Sequence, residues 1–596
     1  MPRNATNQYH HKMANLKSYL NRRFAKLRLS MATIESVPQL ALLGAISGII
    51  AGLVIVAFRI LIEYTQMSFL PGADAENYEG LSPLMRLLLA TVGGLVVGLL
   101  FQYIAKSAAQ VGVVHTMERL AYHQGRLPLR NAIWQFIGGA ITIISGHSVG
   151  REGPSVHLGA ASGSLLGQWL QLSNSSTRTL VACGVAAAIA ASFNTPLAGV
   201  IFAMEVVLME YTIAGFIPVI MAAVLATIVC HWFFGSETVF LVPDIGFSTI
   251  AELPFVLVLG LVIGVLAATF IELLQRFVRI SATYPLWQRT TLAGFIIGVL
   301  ALGVPQIMGI GYDTVNAAML GEFALGMLIA ITLIKILATT IGLGLGLPGG
   351  LIGPTLVIGA TAGGVIGIIA DALFPGSISS PGFYAIIGMG AMMGATLHAP
   401  LAALIAMLEL TANPNIILPG MLAIVAAALV NSHLFGKPSV FIMLIKERGL
   451  DFHDSALAQS LRRIAVANVM DRHLIQADQS VTFAAAQALL AQNPSWIIIA
   501  CGDKQYSLLP PADLAQHLLA REAPQTDVED TMIDLLEIPA MRLDAATIHL
   551  QASLQEAHEV ITRSAFKALC VVRKGSDEQR IEGVLTESEI ESHYQS

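Results

Sequence analysis

The chain has 596 residues, of which 55% are hydrophobic and only 12% charged; its net charge is −6 and its mean hydropathy +0.70. That balance excludes an ordinary soluble enzyme and describes a chain built largely for lipid. Charge is also segregated: 21 of the 39 acidic residues follow Leu450, while residues 35–450 hold 18 acids and 15 bases. The long middle reads as a membrane body and the last 146 residues as a mildly acidic soluble domain.

Residues 1–34 carry seven Lys/Arg and no acid, so the positive-inside rule puts the N-terminus in the cytoplasm. No short apolar core there ends in a small-residue cleavage site, which excludes a signal peptide. A surface helix against anionic lipid is expected over 16–29. Apolar segments then recur at about 36–64, 84–105, 131–145, 155–171, 179–192, 196–209, 212–234, 252–277, 288–303, 323–345, 353–373, 382–397, 400–411 and 415–435. Several are shorter than the roughly 20 residues a span needs. Many are interrupted by Gly or Pro, and such breaks are tolerated only where exposed backbone lines a cavity or pore. The four cysteines (Cys183, Cys230, Cys501, Cys570) show no pairing or metal spacing and fit a reduced compartment.

An internal repeat organises these segments. Gly153-Pro154 is followed by Gly159-Ala160, Gly163 and Gly167, and Gly353-Pro354 by Gly359-Ala360, Gly363 and Gly367 at the same spacing. Gly184, Pro196-Leu197-Ala198 and Glu205 likewise match Gly388, Pro400-Leu401-Ala402 and Glu409. The body is therefore two related halves, about 84–234 and 288–435. Paired broken segments mark the substrate site at the interface of such halves. Spacing alone leaves parallel and inverted repeats both open.

Gly150-Arg151-Glu152-Gly153-Pro154 puts two formal charges between apolar segments. An ionisable side chain at bilayer depth costs roughly 3 kcal/mol or more unless it is paired or lines a wet cavity. Proline is well tolerated at the first helical position, so each Gly-Pro pair is expected to open a helix. Two helix N-termini aimed at the interface form an anion site from free N–H groups and positive dipole ends. A site without a full positive charge also lets a permeating anion leave. Glu152, at the start of the first helix, can occupy that site itself and act as a gate; the plainer alternative is an acid that only complements the dipole.

The Gly-Arg-Glu-Gly-Pro run, the stretch Leu347-Pro348-Gly349-Gly350-Leu351-Ile352-Gly353-Pro354 and the Pro-Leu-Ala…Glu repeat together resemble the CLC family of chloride channels and proton/chloride exchangers. The resemblance covers about residues 36 to 445. It implies an all-α polytopic membrane protein with an inverted repeat of broken helices, a homodimer and one anion pore per subunit. It makes Glu152 the gating glutamate. It also makes Gly150, Arg151, Gly153, Leu351 and Ile352 anion-binding positions, and places Lys335 where the family has a basic residue near the pore. The faces of 196–234 and 400–435 would form the dimer contact.

The departures from the family bear on mechanism. The family's first anion loop reads Gly-Ser-Gly-Ile-Pro; here it is Gln110-Val111-Gly112-Val113-Val114, with Val111 in place of the serine and Gly112 kept. The tyrosine that usually faces the central anion aligns with Phe441. Both side-chain hydroxyls are missing, which leaves backbone amides to bind the anion, with chloride as the default. Exchangers of the family carry a proton-accepting glutamate just after the position of Glu205; this chain has Val206, which favours a passive channel. Glu210 is the candidate substitute on a proton path that would otherwise hold only Glu152. Glu205 and Glu409 are expected to cap backbone or pair at an interface.

Two decoys are set aside. Gly146-His147-Ser148-Val149-Gly150 fits a nucleophile-elbow pattern, but that motif needs a strand–turn–helix on a parallel sheet. The flanks here are membrane helices, so no enzyme is expected. His147 and His157 stand ten apart without further ligands, so no metal is expected.

Residues 447–464 read as a linker and 465–596 as two units of about 60 residues, 465–521 and 538–596. Each has a helical stretch (Ala484 to Ala491; Leu554 to Arg563) followed by a β-rich run (Trp496 to Ala500; Ala568 to Val572). This resembles a tandem CBS-domain pair, a cytoplasmic α+β module that in the family can bind adenine nucleotides. Thr586 and Glu589 match the family's ribose-binding pattern loosely, and a packing module with no cofactor is the alternative. The reading is a chloride channel of the cell inner membrane, multi-pass, with both termini cytoplasmic and no nucleic-acid partner. A proton/chloride antiporter on the same fold is the first alternative, and a nucleotide-sensing membrane regulator the second.

Overall fold

The computed structural model describes residues 37–73, 75–108, 110–236, 240, 249, 252–375, 378–450, 461, 464–502, 505–521, 532–564, 566–574 and 579–592. The basic segment 1–34 and most of the linker 447–464 lie outside the described residues. The chain divides into two compact units, one drawn from 36–168 and 177–452, the other from the residues after 452 together with Trp169–Ser176.

The first unit is helical. Its first series comprises α1 (Val37–Phe69), α2 (Pro83–Leu99), α3 (Gly112–Tyr122), α4 (Leu129–Ile144), α5 (Glu152–Leu170), α6 (Asn174–Phe193), α7 (Pro196–Phe202) and α8 (Ile213–Phe234). The second comprises α9 (Leu253–Ser281), α10 (Leu286–Gly303), α11 (Tyr312–Leu320), α12 (Leu325–Gly344), α13 (Ile352–Leu373), α14 (Pro381–Leu397), α15 (Pro400–Thr411) and α16 (Ile417–Leu429); α17 (Val440–Glu447) follows. Eight helices therefore face eight, and the repeat reaches back to α1 and α9, further than the sequence spacing showed. Helix α1 packs on α8, α9 on α16, and α2 of one half on α10 of the other. Among the described residues nine helices are long and apolar enough to cross a bilayer. The short α3 and α11 carry too few apolar residues to stand out by hydropathy.

The matched glycines of the repeat are packing positions. A Cβ added at Gly159 would lie 2.1 Å from the carbonyl oxygen of Gly184, and one at Gly359 would lie 2.3 Å from that of Gly388. Backbones that approach this closely are the usual way helices associate in lipid, where apolar side chains gain nothing by leaving the tails. The two halves also cap each other. The carboxylate of Glu409 accepts the N–H groups of Leu197 (2.9 Å) and Ala198 (2.7 Å), and that of Glu205 accepts those of Leu401 (3.2 Å) and Ala402 (2.7 Å). Each glutamate thus satisfies orphan donors of the other half's Pro-Leu-Ala helix, the capping role expected from its position.

The second unit contains α18 (Val466–Val469), β1 (Leu474–Ala477), β2 (Ser480–Thr482), α19 (Phe483–Ala491), β3 (Trp496–Gly502), β4 (Gln505–Leu509), α20 (Pro511–Arg521), β5 (Met532–Asp534), β6 (Leu543–His549), α21 (Leu554–Arg563), β7 (Ala568–Lys574), β8 (Gln579–Thr586) and α22 (Glu587–Ser592). Six strands form one sheet in the order β1-β3-β4-β6-β7-β8, and β2 pairs with β5. Strand β1 runs parallel to β3, which is antiparallel to β4; β6 runs parallel to β7, which is antiparallel to β8. The same three-strand pattern therefore occurs twice, joined by the antiparallel pair β4–β6. Each half has its own core, with Ile497, Ile499, Leu509 and Leu514 in one and Leu554, Leu569, Val571 and Leu585 in the other. Burial in β7 pushes the Cys570 thiol up to about 12, so it packs as a small apolar residue rather than a nucleophile.

Candidate anion-binding site

Helix α4 ends at Ile144, and Gly146, at φ +72°, turns the chain into the extended residues before α5. In the other half α12 ends at Gly344, and Gly346, at φ +101°, makes the corresponding turn before α13. The two extended stretches meet. Gly150 N–H donates to Gly350 O (2.8 Å), and Gly350 N–H donates to Gly150 O (2.7 Å). These positions match in the repeat, so the bridge brings the N-termini of α5 and α13 together. Pro154 and Pro354 are the third residues of their helices, not the first as expected; a third residue also has no intrahelical N–H bond to lose.

Glu152 is the first residue of α5 and only 1% exposed. Its Oε1 accepts the N–H of Ile352 and, at 3.2 Å, that of Gly353. Its Oε2 is buried without a partner among the described residues. The carboxylate therefore sits on the N-terminus of α13, where the dipole and free amides would otherwise hold an anion. A Cβ on Gly350 would come within 2.3 Å of Glu152 Oε1, so glycine there is what lets the carboxylate reach.

A cavity of about 510 Å³ opens beside this point and brings together Val111, Gly112, Glu152, Gly153, Leu351, Ile352 and Phe441 from four separate stretches of chain. Val111 is extended (φ −143°), and Gly112 opens α3 at φ +84°; no heavy atom lies within 4 Å of a Cβ added there, so backbone conformation rather than space requires the glycine. Helix α17 presents Phe441 to the same space. We call this the α3 cavity.

One of the expected anion ligands is corrected. The N–H of Gly150 is committed to Gly350 O, so it cannot also bind an anion. The guanidinium of Arg151 points away from Glu152, donating from Nη1 to Glu63 Oε1 (3.2 Å) and from Nη2 to Ser192 O (2.6 Å). The Arg151 side chain lines a second cavity of about 430 Å³, with Arg59, Glu63, Glu76, Tyr312 and Asp313. This α11 cavity lies at the N-terminus of α11, the repeat counterpart of α3. There Glu76, in the left-handed region at φ +75°, accepts through Oε2 the N–H groups of Gly311 and Tyr312, both at 3.2 Å. It is a second carboxylate tethered to a helix N-terminus, and sequence spacing carried no sign of it. Lys335 is fully buried beneath the same loop and donates to Ile307 O (3.0 Å) and Gly309 O (3.1 Å).

The proton-path candidates separate. Val206 is buried, in a π turn (Ala203–Leu208) that continues α7. Glu210 Oε1 accepts from Arg178 Nη2 at 3.4 Å, so this acid is held in an ion pair. His157 pairs not with His147 but with His115, Nδ1 of His115 lying 3.1 Å from Nε2 of His157, both fully buried. Arg119 Nε donates to His115 Nε2 (3.2 Å). Ser148 bonds to Thr339 Oγ1 (2.8 Å) and His147 to Thr142 O (3.0 Å), so the elbow-like motif is absorbed into helix packing. In the second unit Glu589 Oε2 accepts the N–H (2.7 Å) and hydroxyl (2.9 Å) of Thr586, while Glu589 N–H donates back to Thr586 Oγ1 (3.4 Å). That is a capping box at the start of α22, a structural role for the two residues that the family's ribose-binding pattern matches loosely.

Comparison with known proteins settles the family. The voltage gated chloride channel family matches residues 93–432. The chain belongs to this CLC family. A ClcB-like protein of Ralstonia nicotianae, whose name assigns it provisionally to the chloride channels, is 36% identical over 67% of this chain and 95% of its own length. An H(+)/Cl(-) exchange transporter, ClcA, of Yersinia pestis is 30% identical over 67% of this chain and 85% of its own. A slow cyanobacterial Cl-/H+ antiporter of known crystal structure superposes with a TM-score of 0.61 at 25% identity, covering 69% of this chain and 98% of the antiporter. A eukaryotic CLC transporter shares the fold alone, at TM-score 0.58 and 19% identity, over 92% of this chain and 97% of its own. The CLC fold is an inverted repeat of broken helices, which decides between the two repeat types that spacing left open. The function of the chain is anion transport across a membrane.

Proposed function

We propose that this CLC protein conducts chloride passively, with Glu152 as the gate. The observation that carries the reading is the Glu152 carboxylate seated on the amides of Ile352 and Gly353 at the start of α13. A chloride ion or a proton would displace it, the first by competing for the amides and the second by removing the charge that holds it there. Gly112, Gly153, Leu351 and Ile352 then contribute backbone to the path, and Val111 and Phe441 contribute apolar wall. Passive conduction is favoured because Val206 supplies no acid and Glu210 is engaged by Arg178.

Proton-coupled exchange is the second reading. It is favoured by relatives named as exchangers. We further propose a homodimer in the inner membrane, with the repeated C-terminal α+β unit as a cytoplasmic CBS pair and the α3 cavity facing the cytoplasm. Efflux of chloride from liposomes holding the purified protein, with external pH recorded, separates the readings. Chloride leaving without stoichiometric proton movement establishes conduction; uphill proton movement driven by a chloride gradient establishes exchange.

A further inference from the structure

We infer that Gln135 is a side-chain ligand of the permeating anion in the α3 cavity, standing in for the hydroxyls absent at Val111 and Phe441. The inference rests on the anion-transport reading of this cavity and adds a residue that neither the motifs nor the family resemblance marked. Gln135 lies on α4, is fully buried and lines the α3 cavity with Val111, Gly112, Glu152 and Phe441. Both its Nε2 and its Oε1 lack a hydrogen-bond partner among the described residues. A buried amide group left unpaired costs about 1–3 kcal/mol, so a fully buried carboxamide with two open ends is a place where a ligand is expected.

The surroundings narrow the ligand to an anion. A Cβ added at Gly139 would lie 2.8 Å from Pro154 Cγ and 3.2 Å from Gln135 Nε2, which puts the carboxamide beside the first turn of α5, the helix that carries Glu152. Of the other polar side chains on the cavity, Ser281 is bonded to Gly344 O, Arg289 to Leu345 O, Glu447 to Arg279 and Arg448 to Glu118, and Gln110 is exposed rather than buried. The carboxamide carries two N–H donors and no charge, so it can hold a monovalent anion without trapping it. The repeat makes the contrast sharper. The residue 200 positions on is Lys335, whose ammonium is satisfied by two carbonyls. The same helix position is thus a paired cation in one half and an unpaired neutral donor in the other.

The test is chloride binding by calorimetry and chloride flux in liposomes, on the full-length protein and two variants. Gln135→Leu, close in size but without donors, is expected to weaken chloride binding about tenfold and to lower chloride flux relative to nitrate, the less strongly hydrated anion. Gln135→Lys is expected to tighten chloride binding and slow its release; it decides the question if the leucine variant does not elute as a folded protein. Wild-type affinity and selectivity in the folded variants would overturn the role of Gln135. A wild-type protein that neither binds nor moves chloride would instead overturn the functional reading on which the inference rests.

Discussion

The α3 and α11 cavities are built from matched elements of one repeat, yet they are furnished in opposite ways. Each receives the N-terminus of a short helix opened by a left-handed glycine, Gly112 at φ +84° and Gly311 at φ +90°. On the α11 side, Arg59 and Arg151 face Glu63, Glu76 and Asp313, and Glu76 covers the helix end. On the α3 side the helix end is bordered by Val111, Val113 and Val114, with the Gln135 carboxamide nearby and unpaired among the described residues. The backbone obeys the repeat because helix packing and the Gly150–Gly350 bridge demand it. The side chains are free to differ: charged groups crowd the end of α11, while valines border the end of α3 and the charged groups of that cavity, Arg289, Glu447 and Arg448, come from other elements. Glu152 lines the α3 cavity and its neighbour Arg151 the α11 cavity, the arrangement on which the proposed gating role rests.

The largest effect should come at Glu152. Glu152→Gln keeps the shape and loses the charge, so anion efflux should become insensitive to external pH; unchanged pH dependence in proteoliposomes would take Glu152 out of the gating role. The Gln135 variants, read by chloride affinity as above, come next. On the α11 side Glu76→Gln should shift the local charge by +1 and loosen the cover of α11, raising flux at low external chloride several-fold at low ionic strength and less at high salt. Equal rates at both salt concentrations would remove Glu76 from anion access. The contact that holds the halves together should be sensitive in stability rather than flux. Glu409→Gln weakens two charge-assisted bonds to the other half and should cost about 2 kcal/mol, seen as a lower unfolding temperature in detergent; an unchanged temperature would make the reciprocal caps dispensable. Smallest is Thr586→Ala, which removes the N-cap of α22 for about 1 kcal/mol and should leave chloride flux untouched. A lost nucleotide response with intact stability would give Thr586 a ligand role.

Much of this was legible in the linear chain because membrane folds leave strong local marks. Long apolar segments, their Gly and Pro breaks and the matched landmarks from Gly153 to Glu409 reveal the helices, the repeat and the place where broken ends meet. The C-terminal strands are visible for the same reason, as β-branched runs such as Trp496 to Ala500 between helical stretches. Short elements such as α11 escape this reading because nine residues carry too little hydropathy. The side chain of Arg151 escapes it because Glu152 turns into one cavity while Arg151 turns into the other, a choice made by Glu63 and Ser192 far away in sequence. Gln135 left one faint trace, its place 200 residues before Lys335.

The sequence by itself determined that this is a membrane chain of two related halves, with a glutamate at a broken helix and the motifs of the CLC family, because hydropathy and Gly-Pro spacing act locally. Only the tertiary structure decided which polar groups are taken. Gly150, the Arg151 side chain and Glu210 are taken by partners, while Gln135 is left without one among the described residues, because hydrogen bonds are filled across chain separations that no spacing rule can see.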